Sequence, residues 1–348
     1  MQILACYSEA VSGVYFSMVK VFQLVSLLIA MFFPLISAAE STQNRSFGPK
    51  ILQLNNQQQA IPPLIKANHP PAVVELGKKL FYDKLLSQNK QQSCSGCHRP
   101  DHGFADDRDF SPNTQGGVIP VNTPGLAYST LLQYQNWAGQ LPSLEAQLDV
   151  VVENPNVMNL PWPELIRRLK LHSDYPALFR RAGYSDITKT TITDAIVTYE
   201  KSLAVPSRFD AFLHGDSNQL SSQEQQGFRK FKNFGCISCH QGTALGGNLR
   251  QKFDHSQDCF TNDYHWRKRD LGYFNFTNHP GDKYYFRVPT LRNVALTAPY
   301  FHDASAKTLE QAIQVMFRHQ LAIEAKPEDI SDIAAFLGSL TGIQYESE

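Results

Sequence analysis

Two stretches of this chain place two cysteines and a histidine at one fixed spacing, Cys94-Ser-Gly-Cys97-His98 and Cys236-Ile-Ser-Cys239-His240. With 6 Cys and 11 His in 348 residues, chance predicts ~0.003 such patterns, so two of them have a chemical cause. Two thiols three residues apart can each add to one vinyl group of a haem, and the adjacent histidine then reaches the iron as proximal ligand. The competing readings are a zinc site, a redox dithiol and a structural disulfide. Zinc would draw four ligands from paired motifs and gives no reason for a histidine directly after each second cysteine. The pattern therefore predicts two covalently bound haem c groups, one on Cys94, Cys97 and His98 and one on Cys236, Cys239 and His240. Cys259 is read as structural or incidental, and Cys6 falls in an apolar leader.

What each haem can do depends on its sixth ligand. Beyond the leader the only methionines are Met158 and Met316. Met316 follows Thr308 and Gln311, a capping-box pair, and shares a helical face with Leu309, Ala312 and Ile313. Periodicity alone reads it as a core methionine; a thioether opposite His240 would instead close a six-coordinate electron-transfer haem. Between His102 and Met158 there is neither His nor Met, which leaves the first iron open to a small molecule. His102 is too near His98 in the chain to swing to the opposite face of the same haem and is expected to face solvent. One closed haem for electrons and one open haem for chemistry is the arrangement of an enzyme.

The elements that must hold these residues follow from pattern. Residues 71–87 place Val73, Leu76, Leu80 and Phe81 at helical spacing ahead of the first motif, and Ser222 with Gln225 suggests a capping box opening a helix through Gly227, Phe228 and Phe231 ahead of the second. Gly77 to Phe81 and Gly227 to Phe231 share an offset of four, a weak internal repeat. Residues 192–203 read as helical, the Pro206 region as a hinge, and Pro327 with Glu328 and Asp329 starts a helix through Ile330, Ile333, Ala334 and Leu337. Sustained alternation is scarce, so the class is mainly α. The expected organisation is a signal peptide over 1–39, a polar lead-in over 40–68, and two haem-bearing domains over 69–204 and 205–348.

Residues 21–36 are apolar but shorter than the roughly 20 residues of a spanning helix, and Ser37, Ala38 and Ala39 resemble a cleavage site. This predicts export to the periplasm, with an uncleaved anchor as the alternative and Met18 as a second candidate start. The 32 basic and 32 acidic residues balance, which argues against nucleic acid as a partner; 22 Phe and 14 Tyr with only 18% charged residues exclude a disordered chain.

The order of the first haem motif, Asn122-Thr123-Pro124, Trp137, Gln147, the second motif, Val288-Pro-Thr-Leu-Arg-Asn293 and Ala298-Pro-Tyr-Phe-His-Asp303 with Met316 resembles the bacterial di-haem cytochrome c peroxidases and their MauG-like relatives. The resemblance runs from about Leu76 onward and implies two cytochrome c-like haem domains in tandem. It implies Met316 as distal ligand of the second haem, Trp137 as an electron relay between haems, and Gln147 in the peroxide pocket. It also implies a role for His302 beside the haems, and a calcium ion on Asn122 with the carbonyls of Thr297 and Pro299. Arg292 could neutralise a haem propionate or form an ordinary pair. The implied reaction is reduction of hydrogen peroxide to water with electrons from a small cytochrome c or cupredoxin, in a chain that the resemblance makes a homodimer.

Two departures accompany the match. Family members that require reductive activation carry a distal histidine on the loop after the first motif, and residues 111–117 contain none, as in the MauG-like branch that oxidises a partner protein. That branch often has Tyr where this chain has Met316. The acidic residue expected ten positions after Gln147 is Val157; Glu153 is a candidate substitute or a helix end. Without that acid, a non-enzymatic electron carrier is the third reading.

Overall fold

The computed structural model describes residues 60–253 and 267–342. Residues 1–39, expected from sequence to be a signal peptide, most of the polar lead-in and Cys259 lie outside the described residues. Helix α1 (Pro71–Tyr82) starts on a proline, whose missing N–H costs nothing at a helix start, and buries Val73, Leu76, Leu80 and Phe81 as the spacing predicts. α2 (Leu144–Glu153) is capped by the Ser143 side chain, and α3 (Trp162–Leu171) and α4 (Tyr175–Arg181) follow. α5 (Lys189–Ser202) begins three residues before the expected 192 because Thr188 and Thr191 form its capping box. After α6 (Arg208–Leu213), α7 (Ser222–Asn233) is capped by Ser221 and Glu224. The Ser222–Gln225 pairing expected from sequence is thus displaced by one residue: Ser221 Oγ accepts from Glu224 N at 3.2 Å and Glu224 Oε2 accepts from Ser221 N at 2.7 Å. The single-turn α8 (Phe274–Thr277) precedes α9 (Leu309–Gln320), capped by Thr308 and Gln311 as expected, and α10 (Pro327–Gly338). The only named strands among the described residues, β1 (Arg250–Lys252) and β2 (Tyr285–Arg287), pair antiparallel with Arg250 opposite Arg287. The class is mainly α.

Two helix pairs organise the core. α1 crosses α5 and α7 crosses α10, and in each pair a glycine sits at the crossing. A Cβ on Gly77 would lie 2.0 Å from the Ala195 carbonyl oxygen, and one on Gly227 would lie 1.8 Å from that of Asp332. The offset-four repeat therefore marks one packing device used twice. Around the first pair, Leu76, Leu80, Leu165, Ile192 and Ile196 form an apolar cluster; around the second, Phe209, Phe231, Phe317 and Phe336 do. The Pro206 region is held at both flanks, by Tyr128 Oη donating to Val205 O at 2.7 Å and by a bridge between Ser207 and Gly342. No helix among the described residues is long and apolar enough to cross a membrane.

Candidate functional site

Each cysteine motif folds into the same local unit, a 3-10 turn over Cys94–Gly96 or Cys236–Ser238. His98 N donates to Cys94 O at 2.8 Å and His240 N to Cys236 O at 3.0 Å, so the histidine closes the turn that carries both thiols. His98 Nδ1 lies 2.9 Å from Phe104 O, and His240 Nδ1 3.2 Å from Leu245 O. A carbonyl can only accept, so Nδ1 carries the proton in both rings and Nε2 keeps its lone pair for a metal. Burial, against the opposing pull of these carbonyls, holds His98 below the usual imidazole range and His240 down to about 4, so both are neutral, the form that ligates. Burial likewise pushes the Cys94 thiol up to about 12 and Cys236 up to about 11, with Cys97 and Cys239 raised too. Dithiol exchange needs a thiolate, which this setting opposes. None of these four cysteines is paired in a disulfide.

Behind the second motif lies an apolar-walled cavity of about 270 Å³ bordered by Cys236, Cys239, His240 and Met316. Thiols, a neutral imidazole and a thioether around one apolar space are a donor set that fits haem c. Met316 comes from α9, whose other inward residues, Ala312, Ile313 and Phe317, pack in the core. The same cavity is lined by Trp137, Asn122, Thr297, Pro299 and His302, so residues far apart in the chain converge there. Trp137 Nε1 donates to Asn122 O at 2.7 Å, and Asn122 N donates to His302 O at 2.9 Å. His302 packs its ring on Phe286 at 4.4 Å and meets the Trp137 ring edge-on at 6.3 Å. Its Nε2 lies 2.9 Å from Asp270 Oδ1, both groups buried, so the histidine foreseen as a haem neighbour has a carboxylate partner that no motif marked.

Asn122 turns its amide nitrogen to the carbonyls of Arg108 and Asp109, each at 3.2 Å. Among the described residues no group of three or more His, Cys, Asp or Glu could hold a metal ion, so a calcium site here would be built from amide and carbonyl oxygens.

Gln147 on α2 has a buried Oε1 with no hydrogen-bond partner among the described residues. Val157 stands half-buried in the turn after α2, and Glu153 is exposed and accepts from Trp162 N at 3.4 Å, which makes it a cap for α3. Residues 111–117 fold into a tight loop through Asn113 Oδ1, which accepts from Gln115 N and Gly117 N. His102 is half-buried beside Asp101 and Asp107 rather than fully in solvent. Sequence reasoning missed Glu200, a buried carboxyl on α5 that burial, then repulsion from Glu145, pushes up to about 8.

Arg292 proves to be the buried member of an interior pair. Its guanidinium meets both oxygens of Asp210 at 2.7 Å, so its charge is already matched. Arg287 has no such match among the described residues; it was unmarked in sequence because an isolated arginine in a short strand carries no periodic signal.

The model for di-haem cytochrome c peroxidase matches residues 71–218. The chain is 36% identical over 274 residues to the cytochrome c551 peroxidase of Nitrosomonas europaea, covering 78% of this chain and 80% of that one. It is 37% identical over 272 residues to the cytochrome c peroxidase Ccp of Escherichia coli, covering 78% of this chain and 58% of that longer protein. MauG of Methylorubrum extorquens, a methylamine utilization protein, is 30% identical over 289 residues, with 78% of each chain covered. Among solved structures, a MauG-like protein associated with microbial copper homeostasis superposes with a TM-score of 0.69 at 29% identity, over 81% of this chain and 93% of that one. Two haem-attachment turns with oriented neutral histidines and sequence identity across most of both chains lead to one conclusion: the chain belongs to the di-haem cytochrome c peroxidase family.

Proposed function

We propose that this protein is an exported peroxidase built of two haem-bearing halves, residues 69–204 and 205–348, that reduces hydrogen peroxide to water with electrons from a small c-type cytochrome or cupredoxin. The observation that carries the reading is a pair of like turns, each ending in a neutral, carbonyl-held histidine, with Met316 sharing one cavity with Cys236, Cys239 and His240 of the second. Bound haem supplies the one-electron steps and the iron at which peroxide is cleaved.

The chain's residues do the rest. His98 and His240 present Nε2 as proximal ligands, and Met316 closes the second site against small molecules. Gln147 Oε1 accepts a hydrogen bond from peroxide at the first site, while Val157 can neither give nor take a proton, so the two protons consumed per peroxide arrive through solvent. Trp137, pinned by Asn122 O and bordered by His302, carries electrons from the second site to the first. A calcium ion on Asn122 and the carbonyls of Thr297 and Pro299 would stiffen the segment to which Trp137 is bonded. A MauG-like oxidation of a partner protein is the second reading, favoured by the absence of histidine in 111–117.

The test is the optical and EPR spectrum of the ferric holoprotein before and after stoichiometric peroxide, followed by turnover with a reduced cytochrome c. A mixed high-spin and low-spin spectrum that changes within seconds, and oxidation of the cytochrome, is the expected result. Two low-spin haems that ignore peroxide in the oxidised and the half-reduced forms would leave an electron carrier instead.

A further inference from the structure

Arg287 is 4% exposed and lines the cavity shared by His240, Met316 and Trp137. Its Nε donates to Asn136 O at 2.9 Å and its backbone N to Trp137 O at 2.8 Å, but one terminal nitrogen is buried with no hydrogen-bond partner among the described residues. No carboxylate among the described residues lies within ion-pair distance of it. The contrast with Arg292, equally buried but bidentate on Asp210, shows what this fold does with an arginine whose charge it neutralises itself. An uncompensated buried cation is costly, and burial alone has already drawn the Arg287 guanidinium down to about 10. Such a group is kept in an apolar-walled cavity when the occupant brings the anion.

We infer that Arg287 binds a carboxylate of the haem seated on Cys236, Cys239 and His240, and that through its bonds to Asn136 and Trp137 it couples that carboxylate to the loop carrying Trp137. This rests on the di-haem reading above. The planar fork of a guanidinium suits both partners at once, because Nε is held by the loop carbonyl and the terminal nitrogens remain for a carboxylate. Cross-strand Arg250 reinforces the same loop by donating to Ala138 O and Gly139 O while its guanidinium lies between the rings of Tyr134 and Tyr273, at 4.0 and 4.3 Å. One arginine therefore serves the loop alone, and the other serves loop and ligand together.

The experiment is a spectroelectrochemical titration of both haems in wild-type, Arg287→Gln and Arg287→Lys holoproteins, with haem content measured in each. Loss of the positive charge stabilises the ferric form, so Arg287→Gln lowers the potential of the methionine-ligated haem and shifts its electron-sharing equilibrium with the other haem by about tenfold, 59 mV for a one-electron couple. Arg287→Lys, which keeps the charge, shifts it less than about threefold and still weakens the propionate bending band in resonance Raman spectra. Unmoved potentials in Arg287→Gln, or a shift confined to the His98 haem, would overturn the inference while leaving a di-haem protein intact. Should Arg287→Gln not mature, an unchanged propionate band in Arg287→Lys would overturn it instead. A wild-type chain without two haems would overturn the functional reading itself.

Discussion

A thioether is a weak iron ligand, strong enough to fix the spin state of a haem and weak enough that nothing else in the fold depends on it. Met316 is half-buried on α9, and its neighbours Ala312, Ile313 and Phe317 hold the helix in the core without it. Met316→Ala should therefore leave the fold and both haems in place and convert the second haem to a high-spin or differently ligated form. An unchanged low-spin spectrum and potential would show that Met316 is a packing residue and nothing more. The residues that do chemistry differ in how far the sequence could show them. Cys94, Cys97 and His98 are legible because one turn of backbone brings them together, so spacing is geometry. Asp270 meets His302 across 32 residues and Arg287 meets the Asn136 carbonyl across 151, and no local pattern encodes a partner at that distance.

The helices divide along the same line. α1, α9 and α10 are readable because their apolar residues recur at three and four, and Thr308 with Gln311 marks a start that the backbone honours. α4 has seven residues, and β1 and β2 have three each, so their place is set by tertiary contacts and not by period. The glycines in α1 and α7 are the instructive case, because glycine inside a helix costs about 1 kcal/mol relative to alanine and so must be offset by packing. At Gly227 the offset is backbone-to-backbone approach: an added Cβ would lie 1.8 Å from Asp332 O and 2.8 Å from Phe336 Cβ, both on α10. Gly227→Ala should force the two helices apart and lower stability by about 1–3 kcal/mol in denaturant titrations. Gly338 is the internal control, since nothing lies within 4 Å of its added Cβ; Gly338→Ala should be neutral or stabilising by up to about 1 kcal/mol. Equal effects at the two positions would mean that helix propensity, and not close approach, sets the cost.

At the scale of the whole molecule, one buried network joins the lead-in, both haem-bearing stretches and the segment between them. Asp210 receives two bonds from Arg292 at 2.7 Å, one from Leu64 N at 2.6 Å, and two from Ser207, through N and Oγ at 2.7 and 2.8 Å. Arg292 in turn donates to Thr243 O at 2.5 Å and lies 5.5 Å from the ring of Tyr128, whose hydroxyl holds Val205 O. Burial by itself would raise the Asp210 carboxyl, but the Arg292 charge and the Ser207 and Leu64 donors outweigh it and hold the group below the usual carboxylate range. The sign of the pH dependence follows. An acid whose folded value is depressed contributes its full stability above the unfolded value, about 3.9, and loses that contribution as pH falls through the lower folded value. Asp210→Ala leaves Arg292 charged and unpaired in the interior, which at neutral pH should cost about 3–5 kcal/mol in denaturant titrations. The gap between variant and wild type should then narrow as the pH drops below about 4, because the wild-type carboxyl is being protonated out of its pair. A gap that stays constant from pH 7 to pH 3 would mean that Asp210 acts through its hydrogen-bonding shape and not through its charge, and the network would be held by the donors of Leu64 and Ser207 instead of by Arg292.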